Sequence, residues 1–139
     1  PLDRDLYQAD KGIKNVEHGV RDGGAIVLDA ACAGGVGIDR FFRLLERAAT
    51  LSEALAIVDR EGYTLGDHKA VRLRALTEQR RVALAAVAPG LAPELAQAAG
   101  IEWLPDRAAA AHWAKGRLGP GGRRAILVSD AGNTTLFRE

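Results

Sequence analysis

The sequence predicts an α/β domain of three layers, with a short, mostly parallel sheet of about four strands flanked by helices. Two observations predict it. Short runs such as Ala25-Ile26-Val27-Leu28 are apolar at consecutive positions, as in strands covered on both faces. Between them lie stretches whose apolar residues return every three or four positions, the spacing of helices with one buried stripe. Such sheets need helical crossovers and gather ligands beyond the carboxyl ends of their strands. The loops after Ala30, Val87 and Ser129 are therefore the candidate functional rim of this Rossmann-like arrangement.

The first helix carries Leu6, Ala9, Ile13, Val16 and Val20 on one stripe, and Asp3 or Asp5 can cap its start. Arg21-Asp22-Gly23-Gly24 is a turn, and Ala25–Ala30 is the first strand. A small-residue loop, Ala31–Gly37, leads to a helix over Ile38–Ala49, with Phe41, Phe42, Leu44 and Leu45 on its apolar side. Thr50 or Ser52 caps a helix to about Arg60, with Glu53 in its first turn. After a connector, Asp67 caps a helix over His68–Gln79. Arg81–Val87 is the second strand, and Pro89 and Gly90 end it. A short helix over Ala92–Ala99, a strand over Ile101–Leu104 and an Ala-rich helix from Asp106 to about Arg117 follow. Gly119-Pro120-Gly121-Gly122 breaks the chain, Ala125–Ser129 is the fourth strand, and Thr134–Phe137 could add an edge segment.

With 139 residues, 47% hydrophobic and 27% charged, the chain suits one soluble α/β domain over 1–139. A net charge of +1 and 5% aromatic residues give no reason to expect a nucleic-acid partner. One cysteine excludes an internal disulfide, and no apolar run reaches membrane-span length. A cytoplasmic setting is the default. The lack of methionine, and an opening directly on a helix cap, suggest a fragment of a larger chain.

At about 100° per residue, Tyr7, Gln8 and Lys11 cluster nearly opposite the apolar stripe of the first helix. A phenol, a carboxamide and an ammonium together suit a carboxylate: one supplies charge and two supply directed hydrogen bonds, beside a favourable helix dipole. The same residues are also ordinary occupants of a wet helix face.

Pro1-Leu2-Asp3-Arg4-Asp5-Leu6-Tyr7-Gln8-Ala9-Asp10-Lys11-Gly12-Ile13, then Asp22-Gly23-Gly24 and an apolar strand, then Ala31-Cys32 with Gly34, Gly35 and Gly37, then Gly66-Asp67-His68-Lys69-Ala70, resembles the C-terminal domain of the lactate racemase family. The likeness runs over about the first half of the chain. It implies a two-domain enzyme that racemises or epimerises small 2-hydroxy acids with a nickel-pincer nucleotide, by removing a hydride from C2 and returning it to either face. It also implies that the N-terminal domain of the same enzyme holds the cofactor and supplies the acid–base histidines. The C-terminal domain would close the cleft and orient the substrate, with Tyr7, Gln8 and Lys11 in a Tyr-Gln-x-x-Lys arrangement.

No nickel ligand, tethering lysine or acid–base histidine can be assigned in this chain. His18, His68 and His112 are scattered, not spaced as a metal pair. His18 reads as solvated and His112, beside Trp113, as structural; His68, at a helix start, either faces the cleft or packs. The chain alone should be inert and carry no bound cofactor, and an apolar patch left where the other domain docks would drive self-association.

Gly34, Gly35 and Gly37, between strand and helix, could approach a phosphate or the cofactor, but Gly-x-Gly-x-x-Gly is absent and a tight strand-to-helix turn is the simpler reading. Cys32 could face the cleft, though no histidine stands in relation to it and a buried thiol is the simpler reading. Asp39 and Asp130 also fall near strand ends, where capping a turn is the usual role. The rival reading is a non-catalytic module that holds a nucleotide or a partner at the Gly34–Gly37 loop.

Overall fold

The strands β1 (Ala25–Asp29) and β2 (Ala83–Val87) pair in parallel from Ala25↔Ala83 to Asp29↔Val87. The two-residue β3 (Glu102–Trp103) lies parallel on the other side of β2, so the sheet order is β1-β2-β3. The computed structural model describes residues 2–118 and 124–137. Among them are six α-helices: α1 (Leu6–Val16), α2 (Asp39–Arg47), α3 (Leu51–Glu61), α4 (Asp67–Glu78), α5 (Pro93–Ala98) and α6 (Arg107–Leu118). The crossover from β1 to β2 runs through α2, α3 and α4, and that from β2 to β3 through α5.

The pleat sorts the side chains into two cores. Ile26, Leu84 and Ala86 join the main core with Leu6, Ala9 and Ile13 of α1, Phe41 and Leu44 of α2, and Leu73 of α4. Ala85 and Val87 face the opposite way, onto Ala110 and Trp113 of α6. The result is the expected three layers. The small side chains of β2 and α6 suit close packing there. None of the described helices is long and apolar enough to cross a membrane.

Local chemistry explains the element starts. Asp5 caps α1 by accepting from the Gln8 amide at 2.8 Å. Thr50 and Glu53 form a reciprocal capping box on α3. Asp106 accepts from the Ala109 amide at the head of α6. At α4, Gly66 occupies the cap with φ +108°, and Asp67 lies inside the first turn, fully buried and bonded by Arg40.

The expected fourth strand is not formed. Residues 124–128 carry no strand, and Ile126 and Leu127 are 67% and 95% exposed. Apolar, β-branched composition marks a segment able to pair, but pairing needs an edge beside it. Nor is Thr134–Phe137 a strand: it runs beside α1, where the Leu136 amide donates to the Asn15 carbonyl at 2.8 Å. Asn15 in turn donates to the carbonyls of Ala131 and Gly132. The glycine-proline break expected at 119–122 lies outside the described residues, except that α6 runs to Leu118.

Candidate functional site

The loop after β1 wraps the head of α1. The amides of Cys32 and Gly34 donate to the carbonyls of Asp3 and Arg4, and those of Leu6 and Tyr7 donate to Gly35 and Val36. With Asp5 taking Gln8 through its side chain and Ala9 through its carbonyl, every amide of the first turn is engaged. The helix start therefore offers its dipole to a ligand, but not its amides. The loop after β2 closes against the same segment, with the Gly90 amide donating to the Ala31 carbonyl at 2.9 Å.

Of the three residues the sequence groups, Lys11 is exposed, Gln8 is half-buried and Tyr7 is buried at 9% exposure. The wet-face reading therefore needs correction at Tyr7. Its ring meets Phe41 edge-on with centroids 5.5 Å apart, and the Lys69 ammonium sits 4.0 Å from its centroid. Lys69 also donates to the Tyr7 carbonyl at 2.5 Å. Helix α1 is thus held from two sides, by the sheet on its apolar stripe and by α2 and α4 at Tyr7. Only the part of the trio around Lys11 remains open.

Beneath the trio lies a buried charge cluster. Asp10, 1% exposed, accepts from Arg72 through one oxygen, and its other oxygen lies 3.6 Å from the Lys69 ammonium. Arg72 also holds Glu17. Burial pushes the Lys69 ammonium below its usual value; Asp10 opposes this, while Lys11 and Arg72 add to it. A periodicity signal for this cluster exists. Asp10 is in phase with Leu6 and Ile13, and Lys69 with Leu73 and Leu76, so a charge falls among the buried apolar positions of each helix.

The remaining candidates separate from the trio. Cys32 is fully buried at φ +48°, and burial, then Asp5 and Asp3, push its thiol up to about 11. It is a protonated core group, not a cleft residue. Gly34 and Gly35 spend their amides on Arg4 and Cys32. Gly37 has φ +84°, and a Cβ there would stand 2.6 Å from Asp5 Oδ1 and 2.9 Å from Tyr7 Cβ, so the glycine serves the approach to α1. His68 is exposed and shares a 2.9 Å hydrogen bond with the Tyr63 hydroxyl. His18 is exposed and stacks on Phe137. His112 is exposed too, which overturns the structural reading. Asp39 pairs with Arg43, and Asp130 holds Asn133. Among the described residues, no group of three or more His, Cys, Asp or Glu could hold a metal ion. In the loop after β1 the amides of Cys32, Gly34 and Gly35 are already bonded.

Residues 1–91 match the model of the lactate racemase C-terminal domain family. The chain belongs to this family. All three residues of the trio, the β1 loop and Lys69 fall within the matched span. A stretch of 43 residues is 44% identical to the lactate racemase of Thermoanaerobacterium thermosaccharolyticum; it makes up 31% of this chain and 10% of that protein. The fold of the whole chain resembles the solved structure of the lactate racemase apoprotein from that organism, with a TM-score of 0.81 at 23% identity, covering 33% of that chain. This lactate racemase C-terminal domain chain therefore spans about a third of the solved relative's length.

Proposed function

We propose that this chain is the substrate-orienting, cleft-closing C-terminal domain of a cytoplasmic, nickel-pincer-nucleotide-dependent 2-hydroxy-acid racemase or epimerase, its partner being an N-terminal domain of the same enzyme. The observation that carries the reading is the head of α1, with Lys11 open and Gln8 half-buried beside a Tyr7 clamped by Phe41 and Lys69. Lys11 would supply the charge that attracts a substrate carboxylate. Gln8 and Tyr7 would supply directed hydrogen bonds to it or to neighbouring polar groups. The cofactor, and the chemistry at C2, would belong to residues outside this chain. Family membership supports the reading, because the matched span includes the trio. The rival, a nucleotide module at Gly34–Gly37, has less support, since the Gly34 and Gly35 amides are already bonded.

The test is racemisation of a panel of small 2-hydroxy acids by the complete, cofactor-loaded enzyme, wild type beside Lys11→Ala. The expected loss in kcat/KM corresponds to about 2 kcal/mol, the scale of one charge-assisted contact. Turnover by wild type with no loss in Lys11→Ala removes the site assignment. Turnover of no acid at all favours the binding module instead, which saturable nucleotide binding at Gly34–Gly37 would then reveal.

A further inference from the structure

The sequence groups Tyr7, Gln8 and Lys11, but Tyr7 is also held by a residue 62 positions away. Lys69 touches it twice, donating to its carbonyl at 2.5 Å and standing 4.0 Å from the centre of its ring. The Lys69 side chain is 11% exposed, so water competes little for either contact. Arg72 binds Asp10 and Glu17 together, so Lys69 also balances charge at Asp10, but at 3.6 Å from that carboxylate its closer contacts are with Tyr7. The charged groups facing the ammonium are Asp10 and Lys11 from α1 and Arg72 from its own helix.

We infer that Lys69 is a positioning residue for Tyr7. It fixes the ring and the main chain at the head of α1, and its charge over the ring makes the phenol a stronger hydrogen-bond donor to substrate. A cation on the face of a phenol stabilises the phenolate, and with it the donor strength of the O–H. The inference rests on the proposed substrate role of Tyr7.

The contact is tested first in the wild-type 139-residue chain by NMR. A lysine stacked on a ring has its ε-methylene protons shifted upfield by the ring current. Unshifted ε-protons at Lys69 overturn the inference without any variant. The phenol is tested next. The chain has two tyrosines, so Tyr63→Phe leaves Tyr7 as the single reporter. Lys69→Met is expected to raise the pH at which Tyr7 ionises, and Lys69→Arg to restore it. A folded Lys69→Met protein with an unchanged midpoint overturns the inference. Should Lys69→Met not fold, the NMR contact and the Lys69→Arg midpoint decide: a large shift from wild type in the charge-preserving variant counts against it.

In the complete enzyme, Lys69→Met is expected to cost at least about tenfold in kcat/KM, and most of that cost should vanish in a Tyr7→Phe background. If Tyr7→Phe impairs the enzyme while the Lys69→Met loss adds to it in full, the inference fails and the proposed function stands. If Tyr7→Phe is silent, the proposed role of Tyr7 fails, and this inference with it.

Discussion

Arg74 shows how one buried charge can be held without a carboxylate. It is 6% exposed, and its guanidinium donates to the carbonyls of Ala48 and Leu45 at the end of α2 and of Ala98 and Ala99 at the end of α5. Terminal carbonyls have no partner within their own helix, so Arg74 joins two helix ends. Arg74→Met keeps the apolar stem and leaves these carbonyls unserved. It is expected to destabilise the chain by about 3 kcal/mol, read from the urea midpoint at unchanged m. Cys32 makes a pH prediction. Its thiol ionises near an ordinary 9.0 when unfolded and at about 11 in the fold. Stability from the protonated thiol is therefore complete below pH 9 and lost as pH rises from there through about 11. Cys32→Ala should flatten that alkaline limb; a limb equally steep in the variant would contradict the assignment.

Elements meet where side chains are smallest. The loops after β1 and β2 touch backbone to backbone at Gly90, where a Cβ would fall 2.4 Å from the Cys32 carbonyl oxygen and 2.6 Å from Ala33 Cα. Neither atom belongs to a flexible side chain, so Gly90→Ala must push the loops apart. We expect a loss of more than about 2 kcal/mol in thermal unfolding, with faster hydrogen exchange at the Gly90 amide that bonds Ala31. A melting temperature equal to wild type would mean that the loops have room the structure denies. The same loop carries the head of α1, so the variant should also weaken whatever binds at Tyr7. How these elements sit was only partly legible. The caps at Asp5 and Thr50 are local, and short-range chemistry reveals them. The engagement of the α1 amides by Gly35 and Val36 is a contact across about thirty residues of sequence, which no local pattern announces.

At the scale of the molecule, Lys11, the exposed member of the trio, lies on an open surface. Two surface depressions, one beside α5 and β3 and one beside α4 and Arg80, are lined by other residues. A carboxylate held at Lys11 alone would stay largely in water, where such contacts are weak. The proposed function therefore predicts that the 139-residue chain, supplied with 2-hydroxy acids and the nickel nucleotide, interconverts none of them, while the complete enzyme does. Racemisation by this chain alone would sink the two-domain reading. Tyr63, Leu65, Ile126, Leu127 and Phe137 are exposed apolar side chains.

The sequence by itself determined the α/β class, the stripes of α1 and α2, the principal caps, and β1 and β2, because each follows from periodicity or from groups a few residues apart. It also placed Tyr7, Gln8 and Lys11 on one helix face. Only the tertiary structure decided that Tyr7 is buried there while Lys11 stays open, because burial depends on which second element packs against a face. It also decided that Ala125–Ser129 is not a strand. An apolar run carries the capacity to pair, but whether a free edge lies beside it is a property of the assembled fold.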